Sequence, residues 1–168
     1  NKSPHKVIWQ QQGLPECEQC HSNHLIKAPD DQMLGVGDSS LCVECHAKGS
    51  VGYQVALRLR ASVDSLKAAV ASTENIIGEA EKKGAMGSEA RYNLGAAKDA
   101  LTRVRSVMHT SDTLRVNEIV KPALVNAKDV AATAKLALKD MEMRQIALGI
   151  SIVLVLFIVY ALYRKIKL

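Results

Sequence analysis

The fold of this 168-residue chain follows from residues 59–80, whose sequence is LRASVDSLKAAVASTENIIGEA. Apolar or small side chains recur there at alternating intervals of four and three residues: Leu59, Val63, Leu66, Val70, Thr73, Ile77 and Ala80. This spacing puts all seven on one helix face and is typical of a helix that packs along its length against partner helices. Aromatic residues make up 4% of the chain, which also favours helices over a β-sandwich or barrel.

Two further segments carry the same spacing. The second contains Ala90, Leu94, Ala97, Leu101, Val104 and Met108, and the third contains Val116, Val120, Ala123, Ala127, Val130, Ala134, Ala137 and Met141. Three more positions widen the third stripe and predict contact with two partner helices: Leu124, Ala131 and Leu138. Pro122 lies inside this segment, where it is expected to kink the helix or to mark its true start.

Short breaks separate the three segments. Residues 83–88 end the first helix and offer Ser88 as the N-cap of the second. Residues 109–112 end the second helix, with Ser111 or Asp112 as the next cap. Because breaks this short make consecutive helices antiparallel, residues 53–145 are predicted to form an antiparallel three-helix coiled-coil bundle.

Residues 146–163 contain no charged side chain over 18 positions, just enough for a helix to span the hydrocarbon core of a bilayer. A helix buried in a protein core is the alternative, but the rest of the chain is too polar to surround one. Tyr160 and Tyr163 stand near one end, where aromatic side chains favour the membrane interface. The segment therefore predicts one C-terminal transmembrane helix in contact with membrane lipid.

Arg164, Lys165 and Lys167 follow this apolar segment, while its other flank mixes both signs of charge. The positive-inside rule thus predicts a short cytoplasmic tail at 164–168 and a periplasmic location, outside the inner membrane, for residues 1–145. Because no signal peptide is visible, we expect the export signal to have been cleaved or to precede this sequence. The net charge of +5 is interspersed with acids along helical faces, so nucleic-acid binding is not predicted.

Residues 1–50 have little regular pattern and few aliphatic side chains, but they contain all four cysteines. The segments Cys17-Glu18-Gln19-Cys20-His21 and Cys42-Val43-Glu44-Cys45-His46 both have the form C-x-x-C-H. Two thiols one helical turn apart can form thioethers with the two vinyl groups of one haem, and the adjacent His can reach the iron. The pattern predicts two covalently bound c-type haems, which would also supply the core that this short segment lacks.

Three other interpretations of the cysteines are open. Paired Cys-x-x-Cys motifs can bind zinc, but the spacing of 21 residues between Cys20 and Cys42 is slightly longer than a zinc ribbon usually has. Two structural disulfides would suit the oxidising side of a membrane. Neither reading explains why His follows both pairs, and a thioredoxin-like motif needs a βαβ context that is absent.

Over residues 14–46 the chain resembles the doubled-CXXCH module of multihaem c-type cytochromes. The resemblance rests on the paired motifs and on His24, three residues after His21. It implies that two pairs of thiols attach two haems: Cys17 with Cys20, and Cys42 with Cys45. It also implies that His21 and His46 are the proximal iron ligands. Membrane-anchored quinol-oxidising multihaem cytochromes likewise have one span, but theirs is N-terminal and their haems are more numerous.

Each iron needs a second axial ligand to act as an electron carrier rather than as a gas-binding site. His24 is the first candidate because it lies within the module; a surface His in a polar loop is the alternative. His109 ends the second predicted helix, and an antiparallel bundle would return it to the haems. It would equally suit a cationic position at a helix C-terminus. His5 is a third candidate, and it could also serve a haem in another subunit.

Met33 is a weaker candidate, because a Met near a haem more often packs than ligates. Two His ligands per iron would give a low-potential carrier, since Met/His ligation raises the potential. Trp9 is expected to pack on a haem face or in a small local core.

The sequence thus predicts a mostly α-helical protein: an irregular haem-packed module at 1–50, the bundle at 53–145 and the membrane helix. We interpret it as a membrane-anchored dihaem cytochrome that relays electrons between other cytochromes or redox subunits of a larger respiratory or multihaem assembly. The haems should stand far above the bilayer, out of reach of membrane quinol. No catalytic side-chain set or small-molecule substrate site is evident, so an enzyme is not predicted, although the chain could belong to an oxidoreductase complex. A haem-based sensor and a structural anchoring subunit are the alternatives.

Overall fold

The computed structural model describes residues 3–26, 28–86 and 88–167. The chain is 79% helical, with six α-helices and no β-strand among the described residues. The helices are α1 (Pro4–Gln12), α2 (Glu18–His21), α3 (Cys42–Cys45), α4 (Val51–Lys82), α5 (Glu89–Val107) and α6 (Thr113–Lys167). The mostly α-helical fold is therefore confirmed. Some positions in the predicted segments lie outside the described residues: Asn1, Lys2 and Lys27 in the module, Gly87 in the first break and Leu168 in the tail.

Helices α4, α5 and α6 pack against one another as an antiparallel bundle. Between α4 and α5, residue numbers rise on one helix as they fall on the other, as the ion pairs Glu81–Arg91 and Glu74–Lys98 show. Between α4 and α6 the numbers rise together, in the side-chain contact Ser62–Asn117 and in the bond that the Thr73 hydroxyl donates to the Ala127 carbonyl. Helix α5 is therefore antiparallel to both neighbours, as the short breaks predict.

The bundle core consists largely of the predicted stripes. All seven stripe positions of α4 are buried, and on α6 the six from Val116 to Ala134 are buried. On α5 the sequence prediction was wrong at one position: Ala100 is buried, whereas Leu101 only packs against the core edge. The reason is that a straight helix turns every 3.6 residues, so its buried face drifts from a strict seven-residue repeat.

The helix ends follow the predicted breaks, with two differences. Asp112 caps α6, since its Oδ1 accepts the backbone N–H groups of Leu114 and Arg115 at 3.0 and 3.1 Å. Ser88 stands at the N-cap of α5, but its side chain makes no capping bond because its backbone is already helical. The alternative that Pro122 marks the start of the third helix is wrong, because α6 begins at Thr113 and continues through Pro122.

Helix α1 was not predicted from the sequence. It begins with Pro4, whose fixed φ suits the first helical turn, and it ends at Gly13, which has a left-handed backbone with φ of +65°. It contributes no buried residue. Among the described residues before Val51, Gly35 and Ser40 alone are buried, so the N-terminal module has no apolar core of its own.

The apolar segment 146–163 is the continuation of α6 beyond the bundle. None of its apolar stretch is buried against the described protein, which leaves no role for it as a core helix. A helix that is apolar on all faces and exposed on all faces requires an apolar surrounding. The segment is compatible with a single-pass membrane anchor.

The bundle seam can be tested by truncating a fully buried side chain. Leu66→Ala leaves a cavity between three helices and should lower the free energy of unfolding by about 2–5 kcal/mol. Urea denaturation followed by circular dichroism, in detergent, measures the change. Leu57→Ala is the matched control on the same helix, because Leu57 is 43% exposed and should cost under about 1 kcal/mol. Equal losses in the two variants would contradict the assigned seam.

Candidate haem-binding site

The N-terminal module is held to one end of the bundle by a group of polar side chains. The Asp31 carboxylate accepts two hydrogen bonds from the Arg105 guanidinium of α5, both at 2.8 Å, and one from Lys67 of α4 at 3.0 Å. Arg60 of α4 donates to the backbone carbonyls of Asp31 and Leu34 at 2.6 and 3.3 Å. We call Asp31, Arg60, Lys67 and Arg105 the docking cluster.

The docking cluster combines charge with close packing. The Asp31 side chain is 7% exposed, and the hydrogen bonds from Arg105, followed by those from Lys67, lower its pKa to about 2. Gly35 lies against Arg60 with φ of +112°, and a Cβ there would come within 2.9 Å of the Arg60 Cβ. A glycine is therefore required where the module passes over α4. The cluster fixes the module where α4 begins and α5 ends.

Each C-x-x-C-H motif forms one short helical turn. The His21 N–H donates to the Cys17 carbonyl at 3.0 Å, and the His46 N–H donates to the Cys42 carbonyl at 2.9 Å. Side chains three apart on a helical turn share a face, so the two thiols of each motif are available to one ligand. All four cysteines are free thiols in this structure.

The two motifs lie close to each other. Burial raises the pKa of the Cys20 thiol, and the charges of Cys42 and Cys45 raise it further. Thiols from both motifs are therefore within electrostatic reach of each other. Among the described residues, no three His, Cys, Asp or Glu side chains form a cluster that could hold a metal ion.

Each motif histidine faces a second histidine from another part of the chain. The ring centres of His21 and His109 are 6.2 Å apart, and those of His46 and His5 are 5.9 Å apart. His109 lies in the 3-10 turn Met108–Thr110 that follows α5, and His5 lies in the first turn of α1. The expectation that an antiparallel bundle returns His109 to the module is confirmed.

These distances provide a test of whether the side chains fit a haem. Two imidazoles that bind one metal ion from opposite sides, each through a bond of about 2 Å, have ring centres roughly 6 Å apart. Both pairs have this separation. The thiols and imidazoles present therefore have the chemistry and the ring separation that c-type haem binding requires.

The protonation of the two partner histidines also suits ligation. His109 Nδ1 lies 3.0 Å from the Ser106 carbonyl, which can only accept, so Nδ1 carries the proton and donates. In the neutral ring, Nε2 then keeps a free lone pair, and a fixed tautomer of this kind is typical of metal-binding histidines. Burial, followed by the neighbouring His46, lowers the pKa of His5 and so favours its neutral form.

Apolar side chains near the motifs are exposed. Leu25 is 83% and Ile26 is 70% exposed, and Val7, Ile8 and Leu14 are also exposed. A module without an apolar core that leaves such side chains in water is suited to cover a large apolar ligand. Trp9 instead stacks on His5, with ring centres 4.9 Å apart, and so packs beside a candidate ligand.

Two sequence candidates are not brought to a motif histidine. The rings that lie against His21 and His46 are those of His109 and His5, whereas His24 is exposed in the turn after α2. Met33 lies in the 3-10 turn Asp31–Met33, where its carbonyl accepts the Leu41 N–H.

Sequence reasoning missed the docking cluster and Gly52. Gly52 lies in the first turn of α4 against the His46 ring, and a Cβ at this position would overlap that ring. A glycine inside a strongly helical segment is a signal that often has a packing reason, and it could have drawn attention to this position. Asp31 carried no such signal, because its partners are distant in sequence.

Paired haem-attachment motifs, each with two facing imidazoles, define a class of protein: the c-type cytochromes. Residues 5–51 match the family model described as doubled CXXCH motif, which supports the multihaem c-type cytochromes and covers both motifs together with His5. The match extends over less than a third of the chain and does not include the bundle or α6. No curated protein and no solved structure matches the chain.

The docking cluster predicts that the free energy of unfolding falls at acid pH. Because the folded-state pKa of Asp31 is lowered from 3.8 to about 2, its contribution is complete above the unfolded pKa. The contribution is lost as the pH falls from about 4 to about 2. Asp31→Asn should lower the free energy of unfolding at pH 7 by about 1–2 kcal/mol, since its partners are half-exposed, and should weaken that acid dependence.

Thermal unfolding at a series of pH values tests this expectation. Asp30→Asn is the matched control, because an Asn can still accept the Gln32 N–H bond that Asp30 accepts. An Asp31→Asn protein with unchanged stability at pH 7 would show that the docking cluster does not hold the module.

Gly52→Ala should disturb the second motif. Ala is favoured over Gly in a helix by about 0.5–1 kcal/mol, so a loss must come from the displaced His46 ring. We expect the haem attached to the second motif to lose its low-spin absorption spectrum in part or completely. Gly78→Ala, in open space on the same helix, is the control and should leave the spectrum unchanged. Identical spectra for both variants would rule out Gly52 as a support for His46.

Proposed function

We propose that this protein is a membrane-anchored dihaem c-type cytochrome that relays electrons between redox partners on the periplasmic side of the inner membrane. The observation that carries the proposal is the pairing of each motif histidine with a second imidazole about 6 Å away. An iron bound by both imidazoles of a pair would have no open position for a gas ligand. This arrangement favours an electron carrier over a gas-binding sensor and favours a low potential.

Haem bound at these motifs supplies a one-electron couple. The chain provides its attachment and its rigidity. The cysteine pairs would hold each group covalently, while the Ser106 carbonyl and Gly52 orient the histidines. The docking cluster prevents the module from moving against the bundle, so the ligand geometry can stay the same in both oxidation states.

The length of α6 supports a role at a distance from the membrane. His109, whose ring faces His21, lies four residues before Thr113, where α6 begins. From Thr113 to Ile146, where the apolar segment begins, α6 extends about 50 Å at 1.5 Å per residue. Electron tunnelling decays exponentially with distance, so sites at that height favour exchange with other cytochromes or redox subunits over exchange with quinol in the bilayer.

The charge at the end of α6 supports the proposed orientation. Arg164, Lys165 and Lys167 lie in its last turn, after the apolar segment. Basic residues beside a span favour the cytoplasmic side, which puts the motifs outside, where haem is covalently attached. In this arrangement the bundle is a rigid spacer that holds the module away from the membrane, where partners within a larger redox assembly can bind it.

A reduced-minus-oxidised absorption spectrum of the purified chain, with intact mass on the same sample, tests the proposal. We expect a low-spin c-type spectrum and a mass increase equal to two covalent haems. The control is the double variant Cys17→Ser with Cys20→Ser, which should carry one haem. A ferrous form that is high-spin and binds carbon monoxide would instead favour a sensor. A mass without haem would reject the cytochrome proposal.

A further inference from the structure

We infer that the two distal ligands come from either side of the motifs in the sequence: His109, after both motifs, pairs with His21 at the first haem, and His5, before both motifs, pairs with His46 at the second. This inference rests on the proposed haem binding and names the ligand set that completes it. The family match covers the motifs and His5 but does not extend to His109, and it assigns no distal ligand. The assignment also leaves His24 without a role at either iron.

The first pair joins the module to the bundle. His109 is held at the corner between α5 and α6 by its bond to Ser106, by the left-handed Ser111 with φ of +54°, and by the Asp112 cap. A His at a helix C-terminus can be explained by the helix dipole alone. The dipole does not account for a second imidazole 6.2 Å away that belongs to a motif remote in sequence. Ligation accounts for both observations.

The second pair, His5 and His46, joins α1 to the second motif within the module. Helix α1 buries no side chain, so apolar packing does not determine where it lies. Its contacts with the rest of the chain include the approach of His5 to His46 and the bond that the Gln10 amide donates to Glu16 at 2.8 Å. Gly52 brings the His46 ring against α4 from the other side. A metal bond from His5 would fix a helix that otherwise has little to hold it.

The two pairs therefore have different structural consequences. Loss of the His109 bond would release the first haem from the α5–α6 corner, while the docking cluster and Leu34 would still attach the module to the bundle. Loss of the His5 bond would release α1 without affecting the bundle. This difference gives a readout that is separate from electron transfer.

Two single-haem parent proteins allow each ligand to be assigned to one iron. Cys42→Ser with Cys45→Ser retains the first haem, and Cys17→Ser with Cys20→Ser retains the second. In each parent we would introduce His5→Ala, His109→Ala and His24→Ala separately. The spin state of the ferric haem is measured by absorption and electron paramagnetic resonance on the intact, detergent-solubilised chain, with covalent haem checked by mass.

We expect His109→Ala to convert the haem from low-spin to high-spin in the first parent and to leave the second parent low-spin. His5→Ala should do the reverse, and His24→Ala should leave both low-spin. Added imidazole should restore the low-spin spectrum of each high-spin variant. A high-spin form caused by His24→Ala, or an exchange of the two patterns, would overturn the assignment.

A second substitution guards against loss of folding. His109→Met keeps a side chain that can bind iron, so the first haem should stay low-spin but shift to a higher potential, as Met/His ligation does. An unchanged potential would contradict ligation by His109. This experiment separates the ligand assignment from the proposed function. Parent proteins that carry no covalent haem would reject the proposed function. Parent proteins that carry haem and keep the same spin state after His5→Ala and after His109→Ala would reject the ligand assignment alone.

Discussion

The burial of one apolar stripe on each of three helices is the constraint on which the rest of this structure depends. Leu66, Ile77, Leu94, Val104 and Val116 have no contact with solvent or almost none, and their burial sets the register between α4, α5 and α6. Once that register is set, the end of α5 must return to the level at which α4 began. Arg105 and His109 therefore lie next to the N-terminal module. If α5 packed parallel to α4, both residues would be far from it.

The module depends on the bundle because it cannot stabilise itself. Gly35 and Ser40 are its buried residues among those described, and neither provides an apolar core. Its position is set by the docking cluster, in which Asp31 is nearly buried between two cations. A buried carboxylate with three hydrogen bonds tolerates little displacement, because each lost bond leaves a charge unpaired. Polar contacts thus hold in place the segment that contains all four cysteines.

The long helix α6 has two parts, one packed in the bundle and one apolar and exposed. In its first part, the buried face carries small side chains, including Ala123, Ala127 and Ala134, and these let the helices approach closely. Its last part is apolar on every face and exposed on every face. Because one continuous helix carries both parts, a structure of moderate size presents a covalent cofactor module at one end and an apolar anchor at the other.

The sequence by itself determined the helical bundle, its antiparallel order, the apolar anchor and the two attachment motifs, because each is encoded in residues near one another along the chain. All seven predicted positions of α4 are buried, although the spacing missed Ala56. On α5 Ala100 is buried where Leu101 was predicted, and on α6 the predicted Ala137 and Met141 are only half-buried. The sequence also proposed four distal ligand candidates, His24, His109, His5 and Met33, with His24 first. The pairing of His109 with His21 and of His5 with His46, the support by Gly52 and the docking through Asp31 were decided by the tertiary structure alone. These contacts join residues as far apart as Asp31 and Arg105, and only the burial of the bundle stripes brings such residues together.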